Sequence, residues 1–395
     1  MNHHQGGFGA AARAQQVTAM QTHHRVPSSC SVIEEAAHVV GSLDSPSFAE
    51  TLKAYKYSAP SLSMLEQAYL ERFWDLLANK VYPPWLAPNL ITLAGGACDM
   101  AALGLTIWHS PGLGGEAPRW VYACCAALLL SYQSLDGSDG KQARRTRSGS
   151  ALGELMDHGL DACVIAVIVA FVSDSVGFGW RSPTLWAGVF GAQWTFMLTN
   201  LTLLMTNKME IGFIDVMELQ TAMAAVLLLT SCVGPQFWSS TVTLPWSQTV
   251  VGVRTLLEVA SFVGMAASLG RNGLSLLRNQ RQRRLEGGMW LTQQLATCAA
   301  YTVVGVLSAR RAAELPGAEG DHAMVRLLLC CALCYGEMMA RMLVLRLGGL
   351  ALPTIPRRCA SRSGRLLAPE LDPNANPNPN ANPNANPNPS TNPQP

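Results

Sequence analysis

Four aspartates at fixed spacing carry the densest chemistry in the chain. Asp136 and Asp139 are i and i+3, and Asp157 and Asp161 are i and i+4, so each pair shares one face of a helix. Two helices joined by the 140–156 connection can face each other and converge four carboxylates. Without a counter-ion such groups repel and raise one another's pKa. Carboxylate oxygens are hard ligands, so Mg²⁺ or Mn²⁺ is the natural partner, and four of them can hold two ions. The small residues Gly140, Ala143 and Gly153 let a neighbouring helix or a ligand come close. Arg144 is placed to pair with phosphate oxygens. A solvated loop of mixed charge explains any one aspartate as well, but it needs neither the spacing nor the glycines.

These residues must be held by membrane helices. Charged residues make up 14% of the chain against ~25% in soluble domains, while 49% of residues are hydrophobic. With 28 Lys and Arg against 26 Asp and Glu, there is no basic excess for a nucleic-acid partner. Apolar segments suited to crossing a bilayer as helices recur near 87–108, 119–135, 157–178, 184–205, 217–237, 249–270, 289–308 and 323–345. The expected fold is therefore an all-α polytopic bundle of about eight transmembrane helices. Ahead of it, Leu62, Leu65, Tyr69, Phe73, Leu76 and Leu77 recur at three and four within Ser61–Lys80. That pattern predicts an amphipathic helix lying on the membrane, with Trp74, Tyr82 and Trp85 in an aromatic belt. The cysteines show no metal spacing and read as small apolar residues.

The organisation expected is a disordered tail over 1–50, a membrane domain over 51–350, and a basic then Asn/Pro-rich disordered tail over 351–395. No cleavable signal is expected, so the first span serves as its own address. Arginine and lysine concentrate in the 136–156 and 271–288 loops and after the last span, whereas 238–248 carries no charge. The positive-inside rule then places both termini and the aspartates in the cytosol.

The pattern Asp-x2-Asp-Gly-x2-Ala-Arg-x8-Gly-x3-Asp-x3-Asp over 136–161 resembles the signature of the CDP-alcohol phosphotransferases at every fixed position. Lys141, Gln142, Arg145, Thr146, Glu154, Leu155, His158 and Gly159 are similar to the eukaryotic choline/ethanolamine branch. So are Tyr55-Lys56-Tyr57-Ser58, the stretch Trp85–Thr92, and Asp215-Val216-x-Glu218, which extends the resemblance over roughly 53–350. The resemblance implies transfer of phosphoethanolamine or phosphocholine from its CDP ester to diacylglycerol. It implies two Mg²⁺ or Mn²⁺ ions on Asp136, Asp139, Asp157 and Asp161, and a homodimer in the endoplasmic reticulum or Golgi membrane with a cytosolic active site. His158 lies at the rim of the aspartate face, its ordinary pKa of ~6.5 suits proton transfer, and in this branch it is the implied general base. Asp161 is the alternative base. Glu218 is expected to accept a hydrogen bond from His158, or else to be an acid favoured at a helix start. Asn89 is expected to contact the CDP moiety, or else to cap the first span.

Two points depart from the family. The family usually continues with two more spans, whereas 350–367 here is basic and broken by Pro353 and Pro356. Met156 stands where Phe is common. The choice of alcohol stays open, because Gly137 looks like the ethanolamine branch and Tyr132-Gln133-Ser134 like the dual branch. Rival readings are another acceptor alcohol, a transporter with an acidic pathway, and an inactive scaffold of the same fold.

Overall fold

Apolar runs punctuated by proline, glycine and charge fold as long helices. The computed structural model describes residues 63–206, 216–243, 249–282 and 288–347, with Glu50 and Pro245. All of these belong to one unit, Met1–Leu352, and the second unit, Pro353–Pro395, lies outside the described residues. Both tails, Tyr55–Ser58, Asp215 and the loop arginines Arg283 and Arg284 also lie outside them.

The first helical segment, α1, joins a π turn at Glu66–Leu70, an α stretch at Glu71–Leu76 and a second π turn at Leu77–Val81. Then follow α2 (Pro88–His109), α3 (Arg119–Thr146), α4 (Ala151–Val176), α5 (Pro183–Thr206) and α6 (Val216–Val233). The chain closes with α7 (Val253–Gln282), α8 (Gly288–Ala313) and α9 (Gly317–Leu347). All eight expected helices form. By length and hydropathy five of them qualify as membrane spans: α2, α4, α6, α9 and the Val253–Asn279 part of α7. Among the described residues α3, α5 and α8 do not, because α3 ends in the charged motif while α5 and α8 intersperse Gln and Thr. The protein is thus an integral membrane helix bundle. One piece of sheet was not anticipated. Thr241–Thr243 (β1) pairs antiparallel with Val250–Gly252 (β2), Val242 opposite Val251, so the helix expected from 249 begins at Val253.

The end of the bundle that holds the aspartates is organised by α2, which packs extensively on both α3 and α4, whereas those two touch each other little. Two adjacent glycines permit this. A Cβ on Gly95 would press on Tyr132 of α3 at 3.3 Å, and one on Gly96 would overlap Leu160 of α4 at 2.7 Å. At the opposite end, Asp174 of α4 is buried and accepts from Ser110 Oγ (2.6 Å) and from the Gly115 N–H (2.9 Å), which ties α4 to the end of α2. The last helix, α9, packs chiefly on α4.

Helix α1 corrects the expected belt. Tyr69, Phe73 and Leu76 are exposed as an outward apolar face, but Trp74 is buried against α3. Its indole lies where any side chain at Gly137 would sit. Tyr82 is half-buried and bonded to Ser138 (2.8 Å), and of the three aromatics only Trp85 is freely exposed. Gly137 thereby leaves room for the Trp74 indole. Gly137→Ala should displace Trp74 at a cost of about 1–3 kcal/mol, read as a lower unfolding temperature in detergent. The same substitution should cost much less in a Trp74→Leu background. Equal losses in the two backgrounds would show that this contact does not seat α1.

Candidate functional site

The connection expected over 140–156 is largely helix. Helix α3 runs unbroken through Asp136 and Asp139 to Thr146. Arg147 ends it in the left-handed region, with φ 55° and ψ 33°, and the Ser148 N–H returns to Ala143 O (3.0 Å). Ser150 then caps α4, its Oγ accepting from the Gly153 N–H (3.1 Å). Only residues 147–150 separate the helices, so the aspartates sit on helical backbone.

Asp136, Asp139 and Asp157 offer carboxylate oxygens that all lie within 4.8 Å of one another. Asp161 stands against Asp136, outside that trio, and its Oδ1 accepts from the Tyr132 hydroxyl (2.5 Å). Asp139 Oδ2 accepts from the Thr92 hydroxyl, which also reaches Pro88 O (3.2 Å). Neutral donors on neighbouring helices thus orient two of the carboxylates without cancelling their charge. Asp136 Oδ1 is buried and has no hydrogen-bond partner. An orphaned oxygen inside an all-carboxylate cluster fits a divalent cation, because an unpaired buried acceptor is otherwise costly.

Of the polar residues in the motif, three serve the scaffold. Lys141 pairs with Asp75 (2.7 Å) and Glu71 (3.7 Å) of α1. Gln142 donates to Pro83 O (3.0 Å) and Leu86 O (3.1 Å), and Arg145 to Ala78 O and to Tyr82 O (2.8 Å). Arg144 is exposed and, among the described residues, makes no ion pair or hydrogen bond, although its charge reaches Asp139. A Cβ on Gly140 would meet Arg144 at 3.5 Å, and one on Gly153 would meet Asn89 Oδ1 at 3.7 Å, both ordinary contacts. Ala143 is half-buried on the same helix. These small residues therefore let Arg144 and Asn89 stand close to the helix backbones that carry the carboxylates.

Asn89 is not the cap of α2. The cap position falls on Ala87, with Pro88 at the first helical position. The side chain of Asn89 instead lies beside Gly153, the face expected to take a nucleotide. Glu218 differs as well. Its Oε1 accepts from the Leu65 N–H (2.9 Å) and so anchors α1, and among the described residues it makes no hydrogen bond with His158. The partner of His158 is Asn200 of α5, with Nδ1 to Oδ1 at 3.2 Å. Outside the bundle core, burial pushes the Tyr82 hydroxyl above its ordinary pKa; the Ser138 hydrogen bond opposes that shift and the charge of Asp139 adds to it.

Several participants or their partners carry no motif signal. Asn200 lies far along the chain from the aspartates. Glu154, one turn before Asp157, is ion-paired with Arg346 of α9, a link that spacing cannot reveal. Asp99 of α2 is wholly buried, neither of its oxygens has a partner, and the charge of Asp161 reaches it. An acid in the middle of an apolar run is the signal that would have found it.

The sequence model of the CDP-alcohol phosphatidyltransferase family matches residues 85–269. Cholinephosphotransferase 1 of Xenopus laevis is 37% identical over 191 residues, covering 47% of this chain and 46% of that protein. The Homo sapiens protein of that name is 36% identical over 191 residues, covering 48% and 47%. That of Gallus gallus is 32% identical over 240 residues, covering 59% of this chain and 71% of the relative. The chain belongs to the CDP-alcohol phosphatidyltransferase family, on the side of its choline/ethanolamine branch. It spans about half the length of the first of the curated relatives it matches.

The cluster should bind a divalent cation in the absence of substrate. Mn²⁺ titrated into detergent-solubilised protein and followed by electron paramagnetic resonance should show saturable binding. Asp136→Asn and Asp157→Asn should abolish it, and Thr92→Val, which removes an orienting donor, should weaken it ~10–100-fold. Asp75→Asn on α1 serves as the control and should change nothing. Undiminished binding in Asp136→Asn would dismiss the cluster as the site.

Proposed function

We propose that this chain transfers phosphocholine or phosphoethanolamine from its CDP ester to the free hydroxyl of diacylglycerol, giving the phospholipid and CMP. The observation that carries this reading is the convergence of Asp136, Asp139 and Asp157, with Asp161 against Asp136, beside an unpaired Arg144 at the end of apolar helices. The names of the relatives favour choline as the alcohol.

A polar donor and a lipid acceptor must meet at the membrane surface, and helix ends supply that place. Two Mg²⁺ or Mn²⁺ ions held by Asp136, Asp139, Asp157 and Asp161 would supply the positive charge that offsets the diphosphate and the departing CMP. Arg144 binds phosphate oxygens. Asn89 contacts the CDP moiety, which the small Gly140, Ala143 and Gly153 let come close. His158 accepts the proton of the lipid hydroxyl as that oxygen bonds to the phosphorus bearing the alcohol. The bond from this phosphorus to the bridging oxygen breaks, and CMP leaves with the electron pair. Glu218 acts through α1, which it anchors, rather than through His158.

With eight spans, both termini cytosolic and the site at the cytosolic face of the endoplasmic reticulum or Golgi membrane, the active site meets soluble CDP-alcohols. The exposed apolar face of α1 then rests on that surface. A homodimer is part of the same reading. The support for this orientation is the arginine asymmetry of alternate loops. A reporter fused after Arg284 should read cytosolic and one inserted at Ser247 lumenal. The reverse at either position would refute it.

The reaction is tested with diacylglycerol and each CDP-alcohol in turn. Chelation should abolish turnover, and Mg²⁺ or Mn²⁺ should restore it. Asn at Asp136, Asp139, Asp157 or Asp161 should each cost several orders of magnitude. His158→Ala should lower turnover ~10²–10⁴-fold with CDP-alcohol binding nearly intact, whereas Arg144→Ala should weaken that binding. Full activity in excess chelator would sink the reading, and normal turnover in His158→Ala would move the base to Asp161.

A further inference from the structure

His158 and Asn200 face each other where α4 packs on α5, and both side chains are buried. Asn200 is anchored at its other end, where its Nδ2 donates to Phe196 O one turn back on α5 (3.0 Å). That contact settles which way the amide points. Turned over, Asn200 would set its own oxygen against a carbonyl oxygen, two acceptors facing each other with no proton between them. The oxygen of Asn200 is therefore the atom presented to His158, at 3.2 Å from Nδ1. An acceptor there demands a proton on Nδ1. In the neutral ring that leaves the lone pair on Nε2.

We propose that Asn200 is a positioning residue that holds His158 as the Nδ1–H tautomer and directs the lone pair of Nε2 towards the lipid hydroxyl. The role rests on the reading of His158 as the base. The ring has further restraint from Phe196, whose centroid is 6.5 Å away at 46°. With Nδ1 engaged by Asn200, Nε2 is the ring nitrogen left to take a proton. During transfer Nε2 gains the hydroxyl proton, the lipid oxygen gains the phosphorus, and CMP keeps the electrons of the broken bond. The resulting imidazolium is still bonded to Asn200 through Nδ1–H, so no second proton has to move.

The tautomer can be observed directly. Protein labelled with ¹⁵N-histidine, in detergent with Mg²⁺, gives distinct nitrogen shifts for protonated and bare ring nitrogens, and His158→Gln identifies the His158 signals. Wild-type protein should show a protonated Nδ1 and a bare Nε2. Asn200→Leu should lose that single form and lower turnover ~10–100-fold, as outer-shell partners do, with the KM for CDP-alcohol within about threefold of wild type. Asn200→Asp, which keeps an acceptor, should retain both the Nδ1–H form and turnover. An Nε2–H ring in the wild-type protein would overturn the proposal whatever the variants do, as would normal turnover in Asn200→Leu. If His158→Gln keeps full turnover while the wild-type ring is Nδ1–H, it is the assignment of the base that has failed and not the geometry.

Discussion

Carboxylates gathered out of water repel one another, and the arrangement of this protein answers to that constraint. Gly95 and Gly96 bring α3 and α4 onto one side of α2 and so crowd the acids together. The surroundings then orient the acids with neutral groups. Thr92 holds Asp139 and Tyr132 holds Asp161, while Asp136 keeps an oxygen with no donor. Hydroxyl donors fix direction and leave the negative charge in place, which is what a cation site requires. One acid near the cluster is treated differently. Glu154 is closed off by Arg346 from the last helix, because an unpaired buried carboxylate one turn from Asp157 would add to the repulsion.

The same economy governs the positive charges. A motif rich in Lys and Arg suggests a phosphate cradle, yet Lys141, Gln142 and Arg145 are spent clamping α1 and the 82–87 turn onto α3. The two acids that Lys141 reaches are about half exposed, so those pairs contribute little stability each. Their value is registration. Together with Trp74 seated over Gly137, they fix α1 beside the site and leave Arg144 with no partner among the described residues.

Much of this was legible in the residues, and what was missed has a physical cause. Eight apolar runs became eight helices, because helix satisfies its own backbone wherever side chains are apolar. The aspartate spacing was legible because i+3 and i+4 put side chains on one face. The connection placed at 140–156 proved shorter, since charge resembles a loop in a hydropathy pattern although Lys, Gln and Arg propagate a helix once it has started. The β1–β2 pairing was invisible because three-residue strands carry too little alternation to read. Trp74 was misassigned for the same reason: which side of a helix meets a neighbour is decided by tertiary packing, and no spacing rule specifies it. The partners of His158 and Glu154 lie on other helices, so pairwise contact, not pattern, had to reveal them.

The exchange of Glu218 for Asn200 beside His158 follows from the opening constraint. A carboxylate partner raises the basicity of an imidazole, but it brings another negative charge to a place where Asp136, Asp139, Asp157 and Asp161 already converge. An amide oxygen fixes the ring and its tautomer at no cost in charge, and the nearby aspartates supply whatever stabilisation the imidazolium needs. Glu218 is then released to a structural task at Leu65, where its charge meets a backbone N–H in the first turns of α1. The geometry divides two duties that a single acid could have combined: the neutral Asn200 fixes the His158 ring, and the charged Glu218 seats α1.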